Sequence, residues 1–133
     1  MTTSGVYGAS INIGGGSWGS SSMITGPDGN LWLAIAGHNS VRKITLAGNI
    51  TIIPLQGASV PVGLTAGPDG NIWISESATN TLARVTPGGT VTEWTGSAIG
   101  INSSASPIGI TTGPDGNIWF AESGSNSVAK FVL

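Results

Sequence analysis

The sequence predicts an all-β fold built from four-stranded β-propeller blades. One motif, Gly-Pro-Asp-Gly-Asn, occurs three times, beginning at Gly26, Gly67 and Gly113, so that consecutive copies lie 41 and 46 residues apart. Repeats of about 40 residues with several short strands each are typical of propeller blades. Glycine and β-branched residues dominate, and no sustained 3.6-residue period is present, which argues against helices.

Each repeat predicts a strand, a tight turn and a second strand. Pro presets φ, Asp bonds locally to the backbone and Gly accepts positive φ, so Pro-Asp-Gly between apolar runs indicates a turn. The strands before the turns are residues 21–25, 62–66 and 108–112. The strands after them carry a central Trp at residues 31–33, 72–74 and 118–120. Because successive positions of these strands are apolar, we expect both of their faces to be buried.

Two further strands complete the predicted blade. An Asn-containing hairpin leads into a third strand with a recurring cation at its third position, at residues 41–44, 82–85 and 128–131. A more polar outer strand follows in two units, at residues 49–53 and 90–94. The predicted blade units therefore span about 19–54, 61–95 and 107–133.

The strand inventory predicts an open arc that a second copy closes. The third unit has no fourth strand, whereas residues 6–13 contain an extra alternating segment, Ala9 to Ile13. Propellers use roughly four to eight blades, so three are too few. We expect a homodimer with a six-bladed ring, in which the N-terminal strand of each copy completes the third blade of the other. The alternatives are an arc packed in a larger assembly, or a non-propeller solenoid or sandwich.

Composition excludes several classes of function. The net charge is −2 and only 8% of the residues are charged, so the sequence offers no basic patch that would bind nucleic acid. The absence of cysteine removes disulfides, thiolate metal sites and thiol catalysis. We expect no signal peptide and no membrane insertion, because the N-terminus lacks a basic start and no apolar run approaches about 20 residues. The compartment stays open.

The repeats resemble a known family. Residues 110–122 read as an apolar strand, Gly-Pro-Asp-Gly-Asn, an apolar residue, Trp and then Glu, and residues 62–94 follow the same pattern. Residues 23–53 match with one difference, since Ile35 stands where Glu76 and Glu122 stand. This pattern is similar to the streptogramin B lyase (virginiamycin B lyase) repeat.

The resemblance implies an activity as well as a fold. Enzymes of that family are seven-bladed monomers that open a macrocyclic ester by metal-assisted elimination, with two histidines, a glutamate and Mg²⁺ near the central channel. This chain has one histidine, His38, in a predicted hairpin loop. No catalytic residue is therefore carried over, and His38 is interpreted as a surface residue.

The acidic residues of the repeat have both functional and structural interpretations. Glu76 and Glu122 end the Trp strands and are weak candidates for metal ligands; the favoured interpretation pairs them with cations such as Arg84 or Lys130, or with backbone N–H groups. The aspartates of the motif could ligate a hard cation but are better explained as turn residues. Those aspartates are Asp28, Asp69 and Asp115.

Candidates for ligand or partner binding lie outside the repeat consensus. Trp18 lies in a Gly/Ser-rich linker and Trp94 ends a strand, so we expect part of each ring to be exposed. The segment 95–106 is five residues longer than its counterpart and adds Ile101 and Asn102.

The favoured function is a non-catalytic, self-assembling propeller module without a cofactor. It would serve a structural role or bind a glycan or another protein, for example as a subunit of a virion or a surface structure. One alternative is a metal-dependent, streptogramin lyase-like enzyme that acts on a cyclic depsipeptide with Mg²⁺. The other is a fragment or engineered remnant of a longer propeller.

Overall fold

The computed structural model describes residues 5–14, 19–57 and 59–133, and these residues form three antiparallel sheets. Each sheet is a meander in which consecutive strands pair. Blade 1 contains β1 (Ser20–Thr25), β2 (Leu31–Ile35), β3 (Ser40–Ile44) and β4 (Ile50–Pro54). Blade 2 contains β5 (Pro61–Ala66), β6 (Ile72–Glu76), β7 (Thr81–Val85) and β8 (Val91–Thr95). Blade 3 contains β9 (Pro107–Thr112), β10 (Ile118–Glu122) and β11 (Ser127–Phe131).

The predicted all-β blade fold is confirmed. Helix is limited, among the described residues, to two short segments: a 3₁₀ turn at Ala36–His38 and α1 at Gly96–Ile99. In the part of the chain that the structure describes, no helix combines the length and apolar character that a membrane crossing needs.

Each blade has two apolar faces because its Trp strand is apolar at successive positions. On β6, Ile72 and Ile74 join a core with Trp32 and Ala34 of blade 1. The alternate residue Trp73 contacts Phe131 of blade 3. We call the face toward the preceding blade the N-face and the face toward the following blade the C-face. All of β6 is buried, whereas burial alternates along β10, because the described part of the chain leaves the C-face of blade 3 uncovered.

The repeated motif builds one cluster at the same end of each blade. The aspartate accepts a hydrogen bond from the indole N–H four residues later, at 3.0 Å for Trp32, 3.2 Å for Trp73 and 2.8 Å for Trp119. It also accepts from the Asn two residues later. The strand cation completes the cluster over the Trp ring, with Nζ of Lys43 5.8 Å and Nζ of Lys130 5.2 Å from the ring centroids.

The first glycine of the motif makes room for this cluster. A Cβ on Gly67 would lie 2.6 Å from Cδ1 of Trp73 and would also meet the Asp69 carboxylate. The same collision occurs at Gly26 and Gly113. The motif therefore fixes the tryptophan as well as the turn.

The hairpin asparagines connect successive blades. Asn39 and Asn80 adopt left-handed backbone conformations, with φ of 50° and 57°. Oδ1 of Asn39 accepts from the backbone N–H of Val60 at 3.0 Å, and Oδ1 of Asn80 accepts from that of Ser106 at 2.7 Å. Each asparagine thus holds the entrance of the following blade.

The N-terminal segment 5–14 forms no strand within this chain. Ile13 instead packs against Leu33, Ile35 and Ile44 on the N-face of blade 1. The guanidinium of Arg42 donates to the carbonyl of Ile13. The closing strand predicted at residues 6–13 is therefore absent from a single copy, and its pairing with a second copy stays a prediction.

Candidate functional site

Glu76 is a buried carboxyl at the end of β6. Its Oε2 accepts a hydrogen bond from the Thr79 hydroxyl at 3.3 Å, and its Oε1 has no partner among the described residues. Burial, followed by the negative charge of Glu93, raises the pKa of Glu76 to about 8. The side chain is therefore protonated at neutral pH.

Glu122 occupies the equivalent position in blade 3. Its Oε2 accepts from the hydroxyls of Ser125 at 3.0 Å and Ser127 at 2.6 Å. Hydroxyl donors of its own hairpin thus satisfy this carboxylate.

The favoured pairing of these glutamates with the strand cations is wrong. Glu76 lies opposite Thr81 in the ladder, whereas Arg84 lies opposite Trp73. Glu76 therefore points to the N-face at one end of the blade, and Arg84 points to the C-face near the other end. Arg84 pairs with Asp69 at 4.0 Å, and Lys130 pairs with Asp115 at 3.3 Å.

The donors of one copy do not fit the Mg²⁺ site that the resemblance implies. Among the described residues, no three His, Cys, Asp or Glu side chains gather at one place. Glu76 and Glu122 lie on different blades, and the exposed His38 ends the 3₁₀ turn of blade 1. The aspartates of the motif are occupied by the Trp clusters; hydrogen bonds from Asn117 and then the Trp119 indole hold the pKa of Asp115 below its usual value.

Trp94 belongs to an aromatic cluster between blades 2 and 3. Its ring stacks on Trp73 with a centroid distance of 5.3 Å and an interplanar angle of 12°, and it lies 5.2 Å from Phe131. The guanidinium of Arg84 lies 5.4 Å from the Trp94 ring. One part of the ring stays exposed, so Trp94 both joins the blades and offers a surface. Trp18 lies outside the described residues.

The long loop after β8 places Ile101 and Asn102 differently. Ile101 is buried in a cluster with Leu82 and Phe120, so its side chain packs in the core. Asn102 is exposed, and its backbone carbonyl accepts from the Asn80 side chain. Of the predicted binding residues, Trp94 and Asn102 therefore keep exposed surface.

The C-face of blade 3 forms an open apolar cavity that the sequence interpretation did not assign to particular residues. Its volume is about 360 Å³, and its lining includes Gly109, Trp119 and Val128. Val128 is 66% exposed, whereas its repeat equivalents Val41 and Leu82 are fully buried. The sequence repeats already indicate this exposed surface, because the last unit carries an apolar residue at a position that is interior in the first two units.

The N-face of blade 1 shows the complementary exposure. Met23 lies opposite Leu33 in the ladder, as Leu64 lies opposite Ile74. Met23 is 61% exposed, whereas Leu64 is buried against blade 1. Each end of the arc thus exposes an apolar side chain whose repeat equivalent in blade 2 is buried.

Comparison with known proteins identifies the family of these blades. The profile described as the Virginiamycin B lyase family matches residues 11–133. A streptogramin B lyase structure shares 29% sequence identity at a TM-score of 0.79, covering 92% of this chain and 43% of the other. Virginiamycin B lyase from Staphylococcus aureus shares 30% identity at a TM-score of 0.74, covering 86% of this chain and 41% of the other.

A putative gluconolactonase is similar in fold alone, with 18% identity, a TM-score of 0.69 and coverage of 86% of this chain and 45% of the other. No curated protein sequence matches the chain. The chain spans about two fifths of the length of the lyase structures. The profile match covers nearly the whole sequence, and the chain belongs to the virginiamycin B lyase family.

Proposed function

We propose that this chain is a non-catalytic β-propeller module that assembles with itself and serves a structural or binding role. The observation that supports self-assembly is the exposure of apolar interior positions at both ends of the arc, Val128 on blade 3 and Met23 on blade 1. Contiguous exposed apolar surface is unfavourable in water and favours association. Two copies of three blades make a ring of six, within the usual range of propellers.

The mass in solution tests this assembly. A closed pair of copies has twice the chain mass of 13.2 kDa. We expect light scattering coupled to gel filtration to give that value over a wide range of micromolar concentrations. A mass equal to one chain throughout that range would refute self-assembly.

The exposed part of Trp94 and the exposed side chain of Asn102 support a binding role. Aromatic rings and amides suit sugars and protein surfaces, and no cofactor is needed. We expect a glycan array, or capture of a partner of known sequence, to give a signal that Asn102→Ala reduces. Asn102→Ala keeps the backbone carbonyl that Asn80 uses, so unchanged folding serves as its control.

The surface composition supports a place within a larger structure, such as a virion or a cell-surface structure. Only 8% of the residues are charged, against about 25% in average soluble domains. Neutral Gly, Ser and Thr surfaces suit permanent contact with neighbouring subunits. Mass spectrometry of purified particles tests this setting, and absence of the chain from them would contradict it.

Family membership favours a second candidate, a metal-dependent lyase acting on a cyclic depsipeptide. That reaction would need donors that the described residues of one copy do not bring together. Under the first proposal, no Mg²⁺-dependent opening of a streptogramin B ring is expected. Turnover that is lost in Glu122→Gln would favour the lyase instead.

A further inference from the structure

We infer that the open cavity on blade 3 is the docking site for blade 1 of a second copy, and that Met23 of that copy enters it. The inference rests on the proposed self-assembly and adds the two surfaces that meet. The chain itself supplies the template, because it contains two blade junctions of the same kind.

The junction between blades 2 and 3 shows in detail how one blade docks on the next. The Ser75 hydroxyl on the C-face of blade 2 donates to the carbonyl of Ile108 in blade 3. A Cβ on Gly63 would collide with the same carbonyl and would lie 2.9 Å from Cγ2 of Ile110. A residue without a side chain therefore lets the first strand of the next blade approach closely.

The glycine recurs at the open end of the arc, whereas Ala121 stands at the position of Ser75. Gly109 occupies the position of Gly63, since both lie beside the irregularity where the first strand of the blade pairs with its Trp strand. A Cβ on Gly109 would meet only Ala121, at 4.0 Å. The space that blade 3 fills on Gly63 is thus vacant on Gly109, and Trp119 and Val128 border it.

Met23, on blade 1 at the other end of the arc, is the side chain that would fill this cavity. Its equivalent Leu64 packs in the core with Trp32 and Ala34, which belong to the blade before it. Met23 has no preceding blade within the described residues and is 61% exposed. Its unbranched side chain adapts to an irregular apolar cavity.

The N-terminal segment is already in the position that this docking requires. Ile13 contacts the cluster of Ile44 on blade 1, as Trp94 of the outer strand β8 contacts Phe131 on blade 3. Residues 9–13 therefore lie where the outer strand of a preceding blade would lie. In a docked pair they would meet the free edge of β11 in the second copy.

A second copy is the occupant that fits, because one chain carries both the cavity and its counterpart. Each copy offers its cavity to the other, and two head-to-tail junctions related by a two-fold axis close the ring. An unrelated partner would leave Met23 of each copy exposed.

The experiment uses Gly109→Val on the full chain. The new methyl groups fill the cavity without meeting backbone of the same copy, so we expect the blade fold to persist and the dissociation constant of the pair to rise at least about 100-fold. Circular dichroism checks the fold. Leu46→Lys is the matched surface control, because Leu46 is 82% exposed and lies in the β3–β4 turn, away from both end faces.

Two charged variants test the same junction in case Gly109→Val does not fold. Met23→Lys and Val128→Asp should each give single copies, and an equimolar mixture should form pairs again, since one junction is then wild-type and the other places Lys against Asp. Failure of the wild-type chain to pair refutes the proposed assembly. Pairing of the wild-type chain that all three variants leave unchanged refutes only this junction.

Discussion

Replacing Glu76 with Gln should remove a pH dependence of stability that the wild-type chain shows between about pH 4.5 and pH 8. Glu76 is 1% exposed, and its Oε1 has no partner among the described residues. Burial and the charge of Glu93 raise its folded pKa to about 8, from an ordinary value of 4.5. The folded state therefore retains a proton that the unfolded state releases.

The sign and size of the effect follow from this proton. Below about pH 4.5 both states are protonated, and the ionisation of Glu76 makes no contribution to the free energy of unfolding. As the pH rises toward 8 the unfolded state loses its proton first, so the free energy of unfolding falls; above 8 the loss is complete. The gap between 4.5 and about 8 corresponds to at most about 5 kcal/mol, at about 1.4 kcal/mol for each pH unit.

Urea denaturation at a series of pH values measures this loss. The Gly109→Val background keeps assembly from contributing to the free energy. We expect a falling free energy of unfolding in the parent and a flat profile in Glu76→Gln. Glu93→Gln should give an intermediate total loss that ends at a lower pH, because it removes the like charge while leaving the buried carboxyl in place. Equal slopes in the parent and in Glu76→Gln would show that the buried carboxyl is not protonated in the folded state.

Three further variants test the framework of the blades. Gly67→Ala should lower the free energy of unfolding, measured by thermal unfolding, by about 1–3 kcal/mol, because the new Cβ overlaps the Trp cluster. Gly88→Ala is the control and should change the free energy little, because its Cβ would lie 3.8 Å from the nearest atom. In the Gly109→Val background, Asn80→Ala should lower the free energy of unfolding by about 1–3 kcal/mol more than Asn126→Ala does. Both variants lose an asparagine in the left-handed conformation, but only Asn80 bonds to the entrance of another blade. Equal losses would exclude a bridging role for Asn80. Trp94→Leu should lower the free energy of unfolding, measured by urea denaturation, by about 1 kcal/mol more than the loss of buried apolar area accounts for. A smaller decrease would mean that the stacking of Trp94 on Trp73 adds no stability of its own.

The strands and turns were predictable because their signals are local and occur three times. Pro-Asp-Gly indicates the turn by itself, and a run of apolar residues around each Trp indicates a strand buried on both faces. The hydrogen bond from the Trp73 indole to Asp69 was not predicted, although its constant four-residue spacing was visible. That bond depends on how the Trp ring folds back over the turn, which Gly67 permits and no composition rule describes.

The wrong partner for Glu76 has a different origin. Glu76 and Arg84 belong to neighbouring strands, so pairing them was reasonable without knowledge of the register. The ladder places Glu76 opposite Thr81 and Arg84 opposite Trp73, on the other face. A one-residue change of register exchanges the faces, and charge complementarity alone cannot fix it. The role of Asn80 also depended on tertiary placement, because its partner Ser106 lies 26 residues away.

Two departures of blade 1 from the repeat lie on its N-face, which none of the described blades covers. Ile35 replaces the glutamate of the other units, and Arg42 stands where Ala83 stands in blade 2. Ala83 is fully buried against blade 1, a position without room for a guanidinium. Arg42 is also buried, but its Nη1 donates to the carbonyls of Ile13 and Gly14, so the N-terminal segment is its partner. Whatever docks on blade 1 must therefore meet this segment as well, as it would if residues 9–13 served as the outer strand of the partner's third blade.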